Sequence, residues 1–201
     1  MRAIVTVAGV ILATLTAAGC SSAPEAPPAA PAKKPEIVQL LRQTMHFEYT
    51  PYANPAAMRD AVDVAVLGTV EDITLAVVAD ELNGQGALVV ALRPTEVWKG
   101  KPAKRGDLLY FVLPRPKNLG IDVYDTALPT GSQVALFGVD HPPATQFTSG
   151  DPGVTTYVPV PQGLFLYGPS GLENVWSEEA PAGEWAGTRT LDGLRDAVRK
   201  R

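Results

Sequence analysis

The chain has 201 residues, of which 46% are hydrophobic and 19% are charged, a composition typical of a protein that folds around a core. Lys and Arg number 17 against 21 Asp and Glu, so the net charge is −4, and no basic surplus indicates a nucleic-acid partner. A single cysteine, Cys20, excludes an intrachain disulfide framework and any zinc site built from several cysteines.

Residues 1–19 have the pattern of an export signal peptide. Met1 and Arg2 supply a positively charged start, and an uncharged apolar stretch, "AIVTVAGVILATLTAA", follows from Ala3 to Ala18. This stretch is shorter than the ~20 apolar residues that a membrane-crossing helix needs. We therefore expect residues 1–19 to be removed and the mature protein to lie outside the cytoplasm.

The end of the apolar stretch, Ala17-Ala18-Gly19-Cys20, resembles the lipobox of bacterial lipoproteins. The resemblance implies cleavage after Gly19 and a diacylglycerol on the Cys20 thiol, so that the protein is held to the cell membrane by lipid. The chain departs from the usual motif at Ala17, where the family most often has leucine, and Leu15 lies two residues further upstream. The alternative is a plain exported protein with a free cysteine.

Residues 20–35 are predicted to form a tether between the lipid and a folded domain. The stretch is rich in alanine and in proline, with Pro24, Pro27, Pro28, Pro31 and Pro35. Such a composition favours extended polyproline-type backbone, which rises ~3.1 Å per residue and spans up to about 45 Å here. Residues 36–201 then form a single domain.

Helices are predicted near both ends of this domain. Ile37, Leu40 and Leu41 in "PEIVQLLRQTM" have helical spacing, although an extended lead-in is also compatible with this stretch. Asn54 and Pro55 are typical of an N-cap and a first helical position. Thr190 is the expected N-cap of a C-terminal helix in "TLDGLRDAVRKR".

Between these helices the period changes to that of β-strands. The predicted strands are "VAVLGTVEDI", "TLAVVAD", "ALVVALRPTEVWKG", "GDLLYFVLP", "SQVALFGVD", "YVPVP", "GLFLYG" and "LENVW". Asn83-Gly84 indicates a hairpin, and Pro94 requires a bend, bulge or edge position in its strand. The stretches "RPKNLGIDVYDTALPTG" and "HPPATQFTSGDPG" are predicted as loops because of their proline and glycine content.

The pattern predicts a mainly β fold, a small antiparallel β-barrel or sandwich of OB-like type, with a short N-terminal and a C-terminal helix. The succession "VLGTVEDI", "EVWKGKPAKRGDLLYF" and "GSQVALFG" resembles uncharacterised secreted bacterial proteins and, more distantly, netrin/TIMP-like modules. The resemblance covers about residues 62–140 and implies an OB-type barrel. TIMP-type modules inhibit metalloproteases through disulfides and a free N-terminal cysteine. This chain lacks the other cysteines and is expected to acylate Cys20, so that mechanism does not carry over.

No catalytic or metal-binding motif stands out in the sequence. The G-x-S-x-G, S-x-x-K, H-E-x-x-H and Walker A patterns are absent, so we assign no catalytic residue, no metal and no cofactor. His46 and His141 are the two histidines. His141, in a predicted loop, is the candidate for an alternative envelope-directed hydrolase, with Asp122, Asp125 or Asp151 as possible partners.

Four cations lie within seven residues between two predicted strands: Lys99, Lys101, Lys104 and Arg105. Such a patch is suited to phosphate-bearing wall polymer or lipid headgroups, since the interaction needs only charge density. A solvated hairpin tip is the alternative. Trp98, Trp176 and Trp185 are candidates for stacking on sugar rings, but the neighbours of Trp98 indicate the core.

Taken together, these patterns favour a cell-envelope lipoprotein that acts as a non-catalytic binding or accessory module. Its expected partners are the membrane, through the lipid on Cys20, and an envelope protein or wall polymer. The alternatives are a hydrolase that uses His141 and a protease-inhibitor-like module.

Overall fold

The computed structural model describes seven stretches of the chain, residues 37–43, 48–79, 85–115, 118–141, 147–168, 171–177 and 183–200. All of them belong to one compact unit that spans Lys34–Arg201. The predictions for the signal peptide, Cys20, the tether, His46 and the Asn83-Gly84 turn lie outside these residues. None of the helices in the described stretches has the length and hydropathy to cross a membrane.

The fold is mainly β, as predicted. The seven strands are β1 Val64–Val78, β2 Gln85–Lys99, β3 Leu109–Pro114, β4 Gln133–Asp140, β5 Phe147–Ser149, β6 Thr156–Gly168 and β7 Gly171–Asn174. The helices are α1 Ile37–Arg42, α2 Pro55–Ala61, α3 Ile121–Ala127 and α4 Leu191–Arg199, and a 3₁₀ turn covers Gly183–Trp185. The short N-terminal helix and the C-terminal helix were both predicted.

Five strands close into a ring in the order β1, β2, β3, β6, β4 and back to β1. The OB-like barrel is therefore confirmed, and the sandwich alternative is wrong. The prediction of a wholly antiparallel barrel needs one correction, because β3 and β6 pair in parallel through Tyr110 with Thr156 and Phe111 with Tyr157. This short seam makes the ring uneven, while β5 and β7 extend the sheet at β1 and β6.

Pro94 lies at a bulge in β2, as the sequence predicted. Gly68 of β1 pairs with Pro94, whereas the preceding residue, Leu67, pairs with Glu96, so that Thr95 has no opposite partner. Gly68 permits the close approach of the strands here, because a Cβ at this position would lie 2.5 Å from the Arg93 carbonyl oxygen. A second bulge places Trp98 between the pairs formed by Val97 and Lys99.

The barrel interior is filled by alternate side chains of the ring strands. Leu88, Val90 and Leu92 of β2 are buried there with Phe111 of β3. Apolar side chains of α1 and α3 join the same cluster, among them Leu41 and Tyr124. The two helices therefore complete a core that the strands alone do not fill.

Two regions predicted as loops contain regular structure. Helix α3 lies within "RPKNLGIDVYDTALPTG", where Ile121, Tyr124 and Leu128 have helical spacing and pack on the interior cluster. Burial of this short apolar stripe outweighs the proline and glycine residues around it. The second region forms β5, because its backbone pairs with the end of β1.

Helices α2 and α4 cover the outer face of β1, β4 and β6. Met58 of α2 and Leu194 of α4 are buried against Phe137 and Phe165, whose rings lie 6.0 Å apart. Both predicted N-caps are confirmed, since Asn54 Oδ1 accepts from the Ala57 amide at 2.7 Å and Thr190 Oγ1 accepts from the Gly193 amide at 3.0 Å. Each cap satisfies one of the free amides at its helix start.

Arg42 joins α1 to the segment that follows β7. Its Nε donates to the Val175 carbonyl at 2.7 Å, and its Nη2 donates to the carbonyls of Asn174 and Ser177, each at 3.0 Å. These bonds satisfy carbonyls at the end of β7 and in the bend that follows it.

We expect Arg42→Met to lower the free energy of unfolding by about 2–3 kcal/mol, because hydrogen bonds to a charged donor each contribute about 1.5–3 kcal/mol and the three share one side chain. Gln39→Met, on the exposed side of the same helix, is the matched control and should change it by less than about 0.5 kcal/mol. Urea unfolding followed by circular dichroism measures both. Equal effects of the two substitutions would contradict a specific role for Arg42.

Candidate functional site

The predicted basic cluster lies in the loop that leads from β2 to β3. Lys99 ends β2 and its Nζ donates to the Asp60 carbonyl at 2.6 Å. Arg105 Nη1 donates to the Pro152 carbonyl at 3.1 Å. Lys101 and Lys104 are exposed to solvent. Two of the four predicted side chains are thus partly engaged in holding the loop, and two point into water.

The end of α4 adds cations to the same part of the molecule. Arg59 of α2 connects the two regions, since its Nη1 donates to the carbonyls of Val198 and Lys200, the latter at 3.4 Å. The next residue of α2, Asp60, accepts from Lys99. We call the set Lys99, Lys101, Lys104, Arg105, Arg199 and Lys200 the basic rim. The sequence analysis did not group Arg199 and Lys200 with the loop, because nothing in the chain near them indicates the distant loop.

A cleft of about 380 Å³ opens beside the basic rim. It lies between the end of β2 and helices α2 and α4. Its lining residues are Arg59, Glu96, Val97, Trp98, Val198 and Arg199. No local pattern in the sequence indicates this cleft, since its cations and its carboxylate come from three separate parts of the chain.

Glu96 is the acidic residue of the cleft. Its Oε1 accepts from Arg195 Nε at 2.6 Å, and its Oε2 accepts from Trp98 Nε1 at 3.0 Å and from Arg199 Nη2 at 3.5 Å. Burial raises the pKa of Glu96, but the hydrogen bonds from Trp98 and Arg195 and the charges of Arg195 and Arg199 outweigh burial and hold the pKa below its ordinary value. Glu96 is therefore a carboxylate at neutral pH and joins β2 to α4.

The three tryptophans pack against the hydrophobic clusters. Trp98 is tilted against Phe137 with ring centroids 5.8 Å apart, and Trp185 stacks on Phe165 at 6.3 Å. Trp176 contacts the interior cluster. The prediction that Trp98 belongs with the core is confirmed, although its indole N–H reaches the cleft through Glu96.

His141 is the residue directly after β4. Its amide donates to the Thr156 carbonyl at 2.8 Å, and its half-buried ring stacks on Phe147 with centroids 5.5 Å apart. Across the described stretches no hydrogen bond joins the imidazole to a carboxylate. Of its predicted partners, Asp151 accepts from the Gly153 amide at 2.7 Å, and Asp122 and Asp125 are exposed on α3. The structure therefore shows no bonded pair of the kind that a catalytic triad needs.

Among the residues that the structure describes, no three side chains of His, Cys, Asp or Glu come close enough to hold a metal ion. The charged groups instead pair with opposite charges, as Glu71 does with Arg93 at 2.7 Å.

Burial lowers the pKa of His141 below its ordinary value of 6.5. The unfolded chain therefore takes up the proton more readily than the folded one. The stability that comes from the neutral ring is complete above the unfolded pKa and is lost as the pH falls through that value towards the folded pKa. The free energy of unfolding should therefore fall less between about pH 7.5 and about pH 5.5 in His141→Gln than in the wild-type protein.

Urea unfolding at the two pH values measures this difference, and an NMR titration of the imidazole gives the folded pKa directly. The His141→Gln spectrum assigns the resonance, since the chain has only two histidines. A folded pKa at or above the ordinary value would contradict the prediction.

Comparisons of the chain with protein-family models, with curated proteins and with solved structures find no match. The function is therefore inferred from the residues of this chain and from the geometry of the basic rim and the cleft.

Proposed function

We propose that this protein is a lipid-anchored component of the cell envelope whose OB-like barrel acts as a non-catalytic binding module for an anionic, phosphate-bearing envelope component. The observation that carries the proposal is the basic rim. In a chain with a net charge of −4, the segment from the end of β2 to β3 carries four cations and the end of α4 carries two more. The contacts of Lys99 with Asp60 and of Arg59 with Lys200 connect the start of that segment to the end of α4.

The exposure of the rim supports binding by charge. Lys101 and Lys104 are exposed, and so are Arg199 and Lys200. A local concentration of cations attracts a polyanion from solution and needs no deep pocket to do so. The attraction is screened by salt, because exposed charges further apart than the Debye length hardly interact. Such a surface is suited to a repeating phosphate polymer or to a layer of headgroups.

The lipobox resemblance at Cys20 supports the anchor. Two acyl chains hold a protein to a bilayer stably, whereas one holds it only marginally. A tether of up to about 45 Å would keep the barrel close to headgroups and to the adjoining wall polymer. Weak binding by the rim then suffices, because the anchor raises the effective concentration of the ligand.

The two alternative hypotheses have less support. A hydrolase would need a partner for His141. Of the nearby carboxylates, Asp63 accepts from the Asp140 amide and Asp151 accepts from the Gly153 amide. A protease-inhibitor-like module depends on the distant netrin/TIMP resemblance alone. No specific observation in the described part of the chain favours either of them over the binding module.

The anchor is tested by Cys20→Ser. We expect the wild-type protein to fractionate with membranes and to incorporate labelled fatty acid, and Cys20→Ser to lose the label and to retain its leader, because the thiol is the expected acylation site. Mass spectrometry of the N-terminus gives the cleavage site. A wild-type protein that begins at Met1, or that carries a free thiol, would refute the anchor.

Binding is tested with the acylated protein in phosphatidylcholine nanodiscs and with fluorescent poly(glycerol phosphate) as the probe. We expect the double variant Lys101→Gln/Lys104→Gln to weaken binding about tenfold or more, since each cation near an anionic surface contributes about 1 kcal/mol. Raising the ionic strength from about 0.1 M to about 1 M should also weaken it, because the Debye length falls to about 3 Å.

Arg189→Gln is the control for that experiment, because it removes one exposed cation that does not belong to the basic rim. It should leave the affinity within about twofold of wild type. Binding that is insensitive both to salt and to the loss of Lys101 and Lys104 would refute the proposed function.

A further inference from the structure

We propose that the cleft between β2 and α4 binds a phosphorylated small polyol, such as a glycerol phosphate group, with Arg199 contacting the phosphoryl group, Arg59 adding positive charge beside it and Val97 contacting the carbon chain. The inference rests on the proposed function, because it identifies where on the module a single phosphate unit is seated. A polyol phosphate unit occurs both in lipid headgroups and in wall polymers.

The size of the cleft suits such a unit. Its volume of about 380 Å³ falls in the range of about 300–1,000 Å³ that is usual for small-molecule sites. It is bounded by a strand on one side and by two helices on the other, so its walls are held by the fold rather than by loops. A site built on such elements is more rigid than one built on loops.

The bulge at Trp98 brings consecutive side chains to one cleft. In a regular strand Glu96, Val97 and Trp98 would point alternately to opposite faces. Here Val97 pairs with Val66 and Lys99 pairs with Ala65, so Trp98 is the extra residue and the strand is kinked. All three residues line the cleft. Bulges that redirect a side chain in this way are common beside functional sites.

Arg199 is free to change partners at little cost. Its side chain is 66% exposed, and its contact with Glu96 is long, at 3.5 Å. Glu96 keeps two shorter hydrogen bonds, from Arg195 at 2.6 Å and from Trp98 at 3.0 Å. An incoming phosphoryl group can therefore take over the guanidinium of Arg199 without leaving Glu96 as an unpaired carboxylate.

Arg59 supplies a fixed positive charge on the other side of the cleft. Its Nε and Nη2 contact Asp60 Oδ1 at 2.8 and 2.7 Å, and its Nη1 donates to the Val198 carbonyl. These bonds orient the guanidinium before a ligand arrives. Nη1 also donates to the Lys200 carbonyl at 3.4 Å, so all three nitrogens of this guanidinium already have partners. Arg59 therefore acts on a phosphoryl group through its charge, which the Asp60 carboxylate offsets in part.

Val97 gives the cleft an apolar contact. Its side chain is 47% exposed, which is unusual for a large hydrophobic residue on the described surface. A phosphate ion alone would leave it in water. A ligand with a short carbon chain would cover it, and for this reason we infer a polyol phosphate rather than inorganic phosphate.

The fluorescence of Trp98 reports on the cleft, and glycerol phosphate is the probe. With the acylated full-length mature protein in a neutral detergent, we expect a saturable change in emission that Trp98→Phe removes. Arg199→Gln should weaken binding at least about fivefold, because a charge-assisted hydrogen bond is lost. Arg189→Gln, the same substitution outside the cleft, should leave the affinity within about twofold. Inorganic phosphate should bind more weakly than glycerol phosphate.

A second pair of variants does not depend on Arg199. Val97→Glu places a carboxylate in the cleft and should abolish binding. Tyr167→Glu makes a similar change at another large hydrophobic residue of the described surface, 55% exposed, and should not. Circular dichroism and thermal melting check that each variant folds. Phosphatidylglycerol nanodiscs and poly(glycerol phosphate), compared under the same conditions, show which source of the polyol phosphate binds more tightly.

The proposal is overturned if the emission does not change in a saturable manner, or if Arg199→Gln and Arg189→Gln weaken binding equally. If Lys101→Gln/Lys104→Gln reduces polymer binding while Val97→Glu does not, the loop part of the basic rim binds the polymer and the cleft does not. If neither set of variants has an effect, the proposed function fails together with the inference.

Discussion

The pairing of β1 with two different strands is the constraint on which the rest of the structure depends. β1 pairs with β2 along most of its length, and the residues from Val64 to Thr69 pair on the other side with β4. These two ladders close the ring and leave the central strands without free edges. The buried interior, the outer helices and the position of the β2–β3 loop all follow from this closure.

Closure is achieved with bulges, and the bulges have a second consequence. A long strand that belongs to a small barrel must coil strongly, and an extra residue increases the local twist. β2 carries bulges at Thr95 and Trp98, close to its end. The feature that lets the barrel close thus also redirects the side chains that line the cleft. Helix α4 is held to this part of β2 by Glu96 with Arg195, and to α2 by Arg59 with Val198.

Several elements were predictable because their signals are local. Asn54 and Thr190 cap helices through amides only three residues away, and Pro94 disturbs a ladder at its own position. The parallel pairing of β3 with β6 and the helix α3 were missed. The first depends on which strands meet after the chain has turned several times. The second depends on burial of Tyr124 in an interior that the other strands create.

By itself the sequence determined the mainly β class, the terminal helices, and the basic cluster at Lys99, Lys101, Lys104 and Arg105. It located most of the strands, but it divided β1 and β6 into two strands each and missed β5. It also carries the anchoring hypothesis at Cys20, because a processing motif is read from neighbouring residues. Only the tertiary structure decided that Glu96 meets Arg199 across 103 positions and that Arg59 meets the end of α4 across 139. Periodicity and capping report on neighbours within a few residues, whereas a cleft forms where distant segments converge, and that convergence is set by closure of the barrel.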